Sequence, residues 1–148
     1  MSSAVRLSPS FTPPASREEV RHLVLRTGDL SFEPQLGNLI RIMAPGQFGN
    51  RSHARLYSIM DLERKKDATE FAICVRRCSY IDRYSGEEYK GIASNYLCDL
   101  APGDTLTLAG PFGLAFSVPE DHEANLILIG TGTGIAPFRA FVKHLHKD

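Results

Sequence analysis

Cysteine is scarce, charge is balanced and long apolar runs are missing, and each shortage removes a class of protein. The three cysteines are odd in number and show no disulfide spacing. Cys74 and Cys78, four apart on an expected strand, would share a face but stand roughly 13 Å apart, too far to bridge or to share a metal ion. They are expected to be reduced thiols. The five histidines are scattered, and His144 and His146, two apart on a helix, face different directions, so no metal site is expected. Lys plus Arg and Asp plus Glu number 17 each, so no overall field draws the chain to nucleic acid or to an anionic membrane. No apolar stretch nears the roughly 20 residues that span a bilayer, and the N-terminus lacks the apolar core of a secretory signal. Such a chain is expected in the cytoplasm.

At 148 residues there is room for one domain with a core and not for two of ordinary size. The segment 1–16, with Ser, Pro and two Arg but no acid, is expected to be a disordered tail, although a transit peptide shares that composition. Strands are expected at 20–26, at 39–43 closed by Pro45-Gly46, around Arg55, at 70–78 with Phe71, Ile73 and Val75 on one face, and at 105–109. Charged or solvated loops are expected at 61–67 and around Ser85-Gly86. Ser94 is expected to cap a short helix that runs to Leu100 and stops at Pro102-Gly103. Short strands at this spacing point to a closed antiparallel barrel.

The pattern then changes. Leu126-Ile127-Leu128-Ile129 is apolar without alternation, as in a parallel strand buried on both faces, and it enters a Gly-rich turn and a helix with Pro137 in its first turn. The glycines at 130, 132 and 134 depart from the G-x-G-x-x-G spacing. Either a nucleotide or plain backbone geometry could require them. One βα unit cannot cover both faces of such a strand. The rest of a nucleotide-binding half is therefore expected in a second polypeptide, or the sequence is a truncated form.

Chemistry concentrates in Arg55-Leu56-Tyr57-Ser58. On a strand Arg55 and Tyr57 point one way, where a ring could stack on the phenol and a pyrophosphate could meet the guanidinium fork. A surface Arg and a rim Tyr on a half-buried strand would read the same. Two more stretches occur in register with it, Gly91-Ile92-Ala93-Ser94-Asn95-Tyr96-Leu97 and Gly130-Thr131-Gly132-Thr133-Gly134-Ile135-Ala136-Pro137-Phe138-Arg139. So do Cys74-Val75-Arg76-Arg77 with Tyr80, and Leu97-Cys98-Asp99-Leu100 leading to Pro102-Gly103-Asp104. Together, from about Val20 onward, they make the chain resemble the plant-type ferredoxin–NADP reductases.

The resemblance implies a mainly β fold, with a closed antiparallel FAD-binding barrel at 17–122 and the first strand and helix of an incomplete NADP-binding domain at 123–148. It implies a flavoprotein oxidoreductase that moves electrons between ferredoxin or flavodoxin and NADP(H), in the plastid stroma if the source is eukaryotic. By the same resemblance Arg55, Leu56, Tyr57, Ser58, Cys74, Val75, Arg76, Tyr80, Gly91, Ile92, Ala93, Ser94 and Thr133 bind FAD, with Tyr57 against the isoalloxazine and Tyr80 on the adenine. Ser58 near the flavin N5 is the catalytic residue, and Ser58, Arg76 and Thr133 also meet NADP. For Arg76 a solvated strand-edge charge is the plain alternative. Many relatives carry Cys where this chain has Ala93. Independently of family, 91–94 lead into a helix N-terminus, whose free amides and dipole favour phosphate. Arg51, His53 and Arg64-Lys65-Lys66 could offer an acidic electron carrier a basic surface, although a charge run is more often a solvated loop. The reductase part of a multi-component oxygenase or diflavin enzyme shares these motifs. A non-catalytic barrel serving as an interaction module is the reading from another class.

Overall fold

The computed structural model describes residues 2–7, 19–114, 121 and 123–146, of which 2–7 and 114 by backbone only. Nine strands, two α-helices and a 3-10 turn at Gly132–Ile135 account for the described elements. Seven strands form one antiparallel sheet in the order β4 (Ser52–Ser58), β3 (Asn38–Pro45), β9 (Thr105–Leu114), β1 (Ser2–Leu7), β2 (Val20–Thr27), β6 (Thr69–Arg76), β5 (Asp61–Arg64). A hairpin of β7 (Ser79–Ile81) and β8 (Glu88–Lys90) stands apart from it.

The first and last strands of that order are joined by only two residues, Ile59 and Met60. In a flat sheet six interstrand spacings of about 4.8 Å would separate them by roughly 29 Å. The link from Ser58 to Asp61 reaches at most ~11 Å, so the sheet curls rather than lying flat. The backbone shows how: the Ile59 amide donates to the Asn38 carbonyl beside β3 at 2.9 Å, and the next amide, Met60, donates to Ala72 of β6 at 2.9 Å. No ladder joins β4 to β5 among the described residues.

Alternation fills the inside of the curl. Leu23 and Leu25 of β2, Ile40 and Ile42 of β3, Phe71, Ile73 and Val75 of β6, and Leu106 and Leu108 of β9 form one buried cluster with Ile59. Helix α1 (Ile92–Asp99) packs into this cluster through Leu97 and Cys98. A second, smaller cluster lies on the other face of β2 and β6, where Val24, Ala72, Cys74 and Met60 meet Ala136 at the start of α2 (Ala136–Leu145). Pro137 sits in the first turn of α2, where its missing amide costs no hydrogen bond.

Four expectations change. Residues 2–7, inside the expected tail, pair with β2 on one side and β9 on the other; without them both neighbours would present bare edges. Residues 8–16 of that tail lie outside the described residues. The charged segment from Asp61 forms edge strand β5, since charged side chains suit an edge that must not recruit another chain. Ser85-Gly86 is the turn of the β7–β8 hairpin, and β6 ends at Arg76 before Cys78. Leu126–Ile129 forms no strand and has no ladder partner among the described residues, because a parallel strand needs neighbours that these residues do not provide.

That run is open to solvent, with Ile127 86% and Ile129 83% exposed. The chain by itself should therefore self-associate as concentration rises, and replacing both isoleucines with lysine should abolish this without loss of stability. Sedimentation velocity over a concentration series checks it. A strictly monomeric unmodified chain would contradict it.

Candidate functional site

The end of β4, the end of β6, the first turn of α1 and the loop before α2 enclose a cleft of about 720 Å³, within the roughly 300–1,000 Å³ typical of small-molecule sites. Eleven of the thirteen residues expected to bind FAD line it: Arg55, Leu56, Tyr57, Ser58, Cys74, Arg76, Gly91, Ile92, Ala93, Ser94 and Thr133. Val75 and Tyr80 do not. Val75 is 1% exposed in the core, and Tyr80 lies on the hairpin, its ring stacked on Tyr89 with centroids 5.4 Å apart. Sequence reading passed over Cys78, Thr131, Gly132, Gly134 and Ala136 as lining residues. The last four fall inside the Gly-rich stretch already noticed, and only Cys78 carried no signal.

Two cationic residues, Arg55 and Arg76, line the cleft, and no carboxylate does among the described residues. Arg55 is steadied by donating to the carbonyl of its neighbour Ala54 at 3.1 Å. Helix α1 adds positive character of its own, because its first turn contains no acid and leaves the amides of 92–94 without helical acceptors. Ser94 is not the cap. Gly91 holds that position with no side-chain cap bond, while the Ser94 hydroxyl accepts from the Cys78 amide at 3.1 Å and donates to the Gly91 carbonyl at 3.3 Å. A side chain at Gly91 would put its Cβ 2.9 Å from Ser94 Oγ and 3.1 Å from the Cys78 carbonyl, so backbone packs too closely there for anything larger. Opposite, Gly132 adopts φ +54, a conformation that suits glycine.

Tyr57 is half-buried against the main core, and burial, with the nearby Cys98 and Cys78 thiols, pushes its phenol up to about 12. It is a neutral wall at any ordinary pH. Burial also pushes the Cys98 thiol up to about 11 and raises Cys74, so neither is a nucleophile. Ser58, half-buried at the end of β4, presents a hydroxyl to the same space.

Of the basic residues expected to form a docking surface, Arg51 and His53 lie at the start of β4 and Arg64 to Lys66 at the end of β5. Arg64 donates to the Pro34 carbonyl at 2.9 Å and Lys65 pairs with the buried Glu70 at 2.9 Å, so two of that run serve the fold.

No family profile matches the chain. Among curated proteins, the cyanelle ferredoxin–NADP reductase of Cyanophora paradoxa is 40% identical over 116 residues, 76% of this chain and 32% of the relative. The chloroplastic leaf isozyme 1 of Oryza sativa subsp. indica is 38% identical over 141 residues, 92% of this chain and 38% of its own. Among solved structures, ferredoxin-NADP+ reductase from Plasmodium falciparum with 2'P-AMP superposes with a TM-score of 0.75 at 25% identity, over 97% of this chain and 52% of that one. A second structure of the Plasmodium falciparum enzyme gives 0.73 at 28% identity. The chain spans less than half the length of these curated relatives. Over most of its own length it is homologous to the ferredoxin–NADP reductases and shares their fold.

Proposed function

We propose that the cleft binds FAD and that the chain is the flavin-binding part of an oxidoreductase passing electrons between ferredoxin or flavodoxin and NADP(H). The observation that carries this reading is the convergence of Arg55, Arg76 and the α1 N-terminus, with no acid among the described lining residues, beside the neutral ring of Tyr57. A diphosphate fits the first three and a large planar ring fits the fourth. The names of the relatives support the redox role, and 2'P-AMP in the Plasmodium structure supports NADP over NAD.

FAD, when bound, supplies exchange of a hydride or of single electrons. The chain's own residues would do the rest. Arg55 and Arg76 would neutralise the diphosphate, the first-turn amides of α1 would orient it, Tyr57 would hold the ring and exclude water from one face, and the Ser58 hydroxyl would hold a proton at the reacting edge. Ser58 is the catalytic residue of this reading. Arg76 and Thr133, on facing walls, would also meet the nicotinamide nucleotide.

We further read the sheet as a closed six-stranded barrel in which 52–64 is a single bent strand that serves β3 with its first half and β6 with its second. The short link and the split hydrogen bonds at 59 and 60 support it. In the proposed division the barrel extends to about residue 122 and takes in Ser2–Leu7, and 123–148 opens a nucleotide-binding half. Further strands, from the same polypeptide or a second one, would cover Leu126–Ile129. The chloroplastic and cyanelle relatives favour the plastid stroma where the source is eukaryotic.

Flavin uptake tests the core of the proposal. Protein incubated with excess FAD and desalted should emerge yellow, with about one flavin per chain by absorbance. Protein that stays colourless, with no change in FAD fluorescence on mixing, would defeat it.

A further inference from the structure

Arg77 does not line the cleft, yet its guanidinium ties two of the elements that form it, the end of β6 and α1, to the start of β2. Its Nε donates to Glu19 Oε2 at 2.6 Å and its Nη1 to Asn95 Oδ1 at 2.9 Å, while Nη2 pairs with Asp99 Oδ1 at 2.8 Å. Its own amide donates to the Glu19 carbonyl at 2.8 Å. Glu19 leads into β2, Arg77 follows β6, and Asn95 and Asp99 stand one turn apart on α1. The connection continues through Asn95, 8% exposed, whose Nδ2 donates to the carbonyls of Cys78 at 2.9 Å and of Gly91, the helix cap, at 2.8 Å. Glu19 is also held by Arg21. Although burial pushes the Glu19 carboxyl up, the hydrogen bonds from Arg77 and Arg21 hold it below its ordinary value.

The residue before Arg77 is Arg76, a cation of the cleft wall. One planar fork thus fixes the helix N-terminus relative to the strand end that carries that cation. A lysine could hold only one of these partners well, because it offers a point charge without the fork.

We propose that Arg77 is a positioning residue: it holds the α1 N-terminus and Arg76 in register so that both grip the same diphosphate. This rests on the flavin reading and deepens it. Riboflavin separates the two, since it carries the tricyclic ring and no phosphate, and so reports on the Tyr57 wall alone.

The experiment is titration of FAD and of riboflavin into the full chain and into Arg77→Ala and Arg77→Lys. Arg77→Ala should weaken FAD about tenfold and Arg77→Lys about threefold, with riboflavin moving less than about twofold in both. Loss of both ligands by the same factor would overturn the inference, since Arg77 would then only support the fold, and so would unchanged FAD binding. Should Arg77→Ala not fold, Asp99→Asn replaces it. That side chain is 68% exposed, so its loss spares the core, and it should give the same selective weakening at smaller size. Equal or absent effects there overturn the inference as well. An unmodified chain that takes up neither ligand removes the flavin reading itself, an outcome distinct from FAD binding without selectivity.

Discussion

Arg55→Ala should weaken FAD binding by one to two orders of magnitude. A hydrogen bond to a charged group is worth about 1.5–3 kcal/mol, and its removal leaves diphosphate charge unpaired in the cleft. Arg55 is the better placed of the two wall cations, because its strand is pinned to β3 through the full register from Leu39–Ser58 to Pro45–Ser52 and its guanidinium is braced on Ala54. Tyr57→Ala should also weaken binding, by less in charge terms, but it will lower stability too because the ring packs on the core. Tyr57→Phe separates these contributions. With burial holding the phenol neutral, loss of the hydroxyl should leave flavin affinity within about threefold of the original if the ring acts by stacking. Equilibrium titration followed by flavin absorbance measures all three, and added salt should weaken the original protein more steeply than Arg55→Ala. Unchanged FAD affinity in both Arg55→Ala and Tyr57→Ala would take β4 out of the site.

What sequence disclosed followed from side-chain period. Alternation exposed β2, β3, β6 and β9, and the inward set Phe71, Ile73 and Val75 is the buried core. The motifs around Arg55, Gly91 and Gly130 come together in one cleft although the chain separates them by tens of residues. Hidden were features fixed by tertiary partners. Nothing local marks Ser2–Leu7 as a strand until β2 and β9 require a neighbour between them. Ser94 carries a good cap side chain, but Asn95 and Gly91 place the helix start three residues earlier, leaving the Ser94 hydroxyl to bind Cys78 and Gly91. Leu126–Ile129 has the composition of a buried parallel strand, and composition alone cannot supply the neighbours that would bury it. Arg77 stands out in the sequence only as the last residue of Cys74-Val75-Arg76-Arg77; its role depends on Glu19, 58 residues away, and on α1.

Acid should loosen α2 from the sheet, and Asp61 is the reason. Its carboxylate accepts from Arg139 at 2.7 Å and from Lys143 at 2.7 and 2.8 Å, so one acid on β5 holds a helix whose apolar contact is small, with Ala136, Pro137, Ala140 and Phe141 as its buried residues. Burial pushes that carboxyl up, but the two cations bring it below its ordinary value of 3.8. Its stabilisation is therefore present above 3.8 and lost as pH falls towards the lowered native value. His22, on β2, titrates earlier. Burial lowers it from 6.5, Arg139 and Lys143 lower it further, and Asp61 opposes them. The unfolded chain then takes up a proton near pH 6.5 that the native state still refuses, so stability begins to fall there and the decline ends below the native value. Both groups act in the same direction. Asp61→Ala should speed amide exchange across 136–145 roughly tenfold at pH 7.5, the equivalent of about 1–2 kcal/mol once screening of the half-exposed cations is allowed for. His22→Gln should flatten the dependence of α2 protection between pH 7.5 and 5.5. Because Thr131 to Gly134 of the cleft wall run straight into α2, loss of the helix contact should also release that wall, and FAD bound at the β4 side should survive a pH step that nucleotide bound across the cleft does not. Exchange protection of α2 that is equal at pH 7.5 and 5.5 in the unmodified chain would refute the role given to His22, and equal protection in Asp61→Ala would refute that given to Asp61.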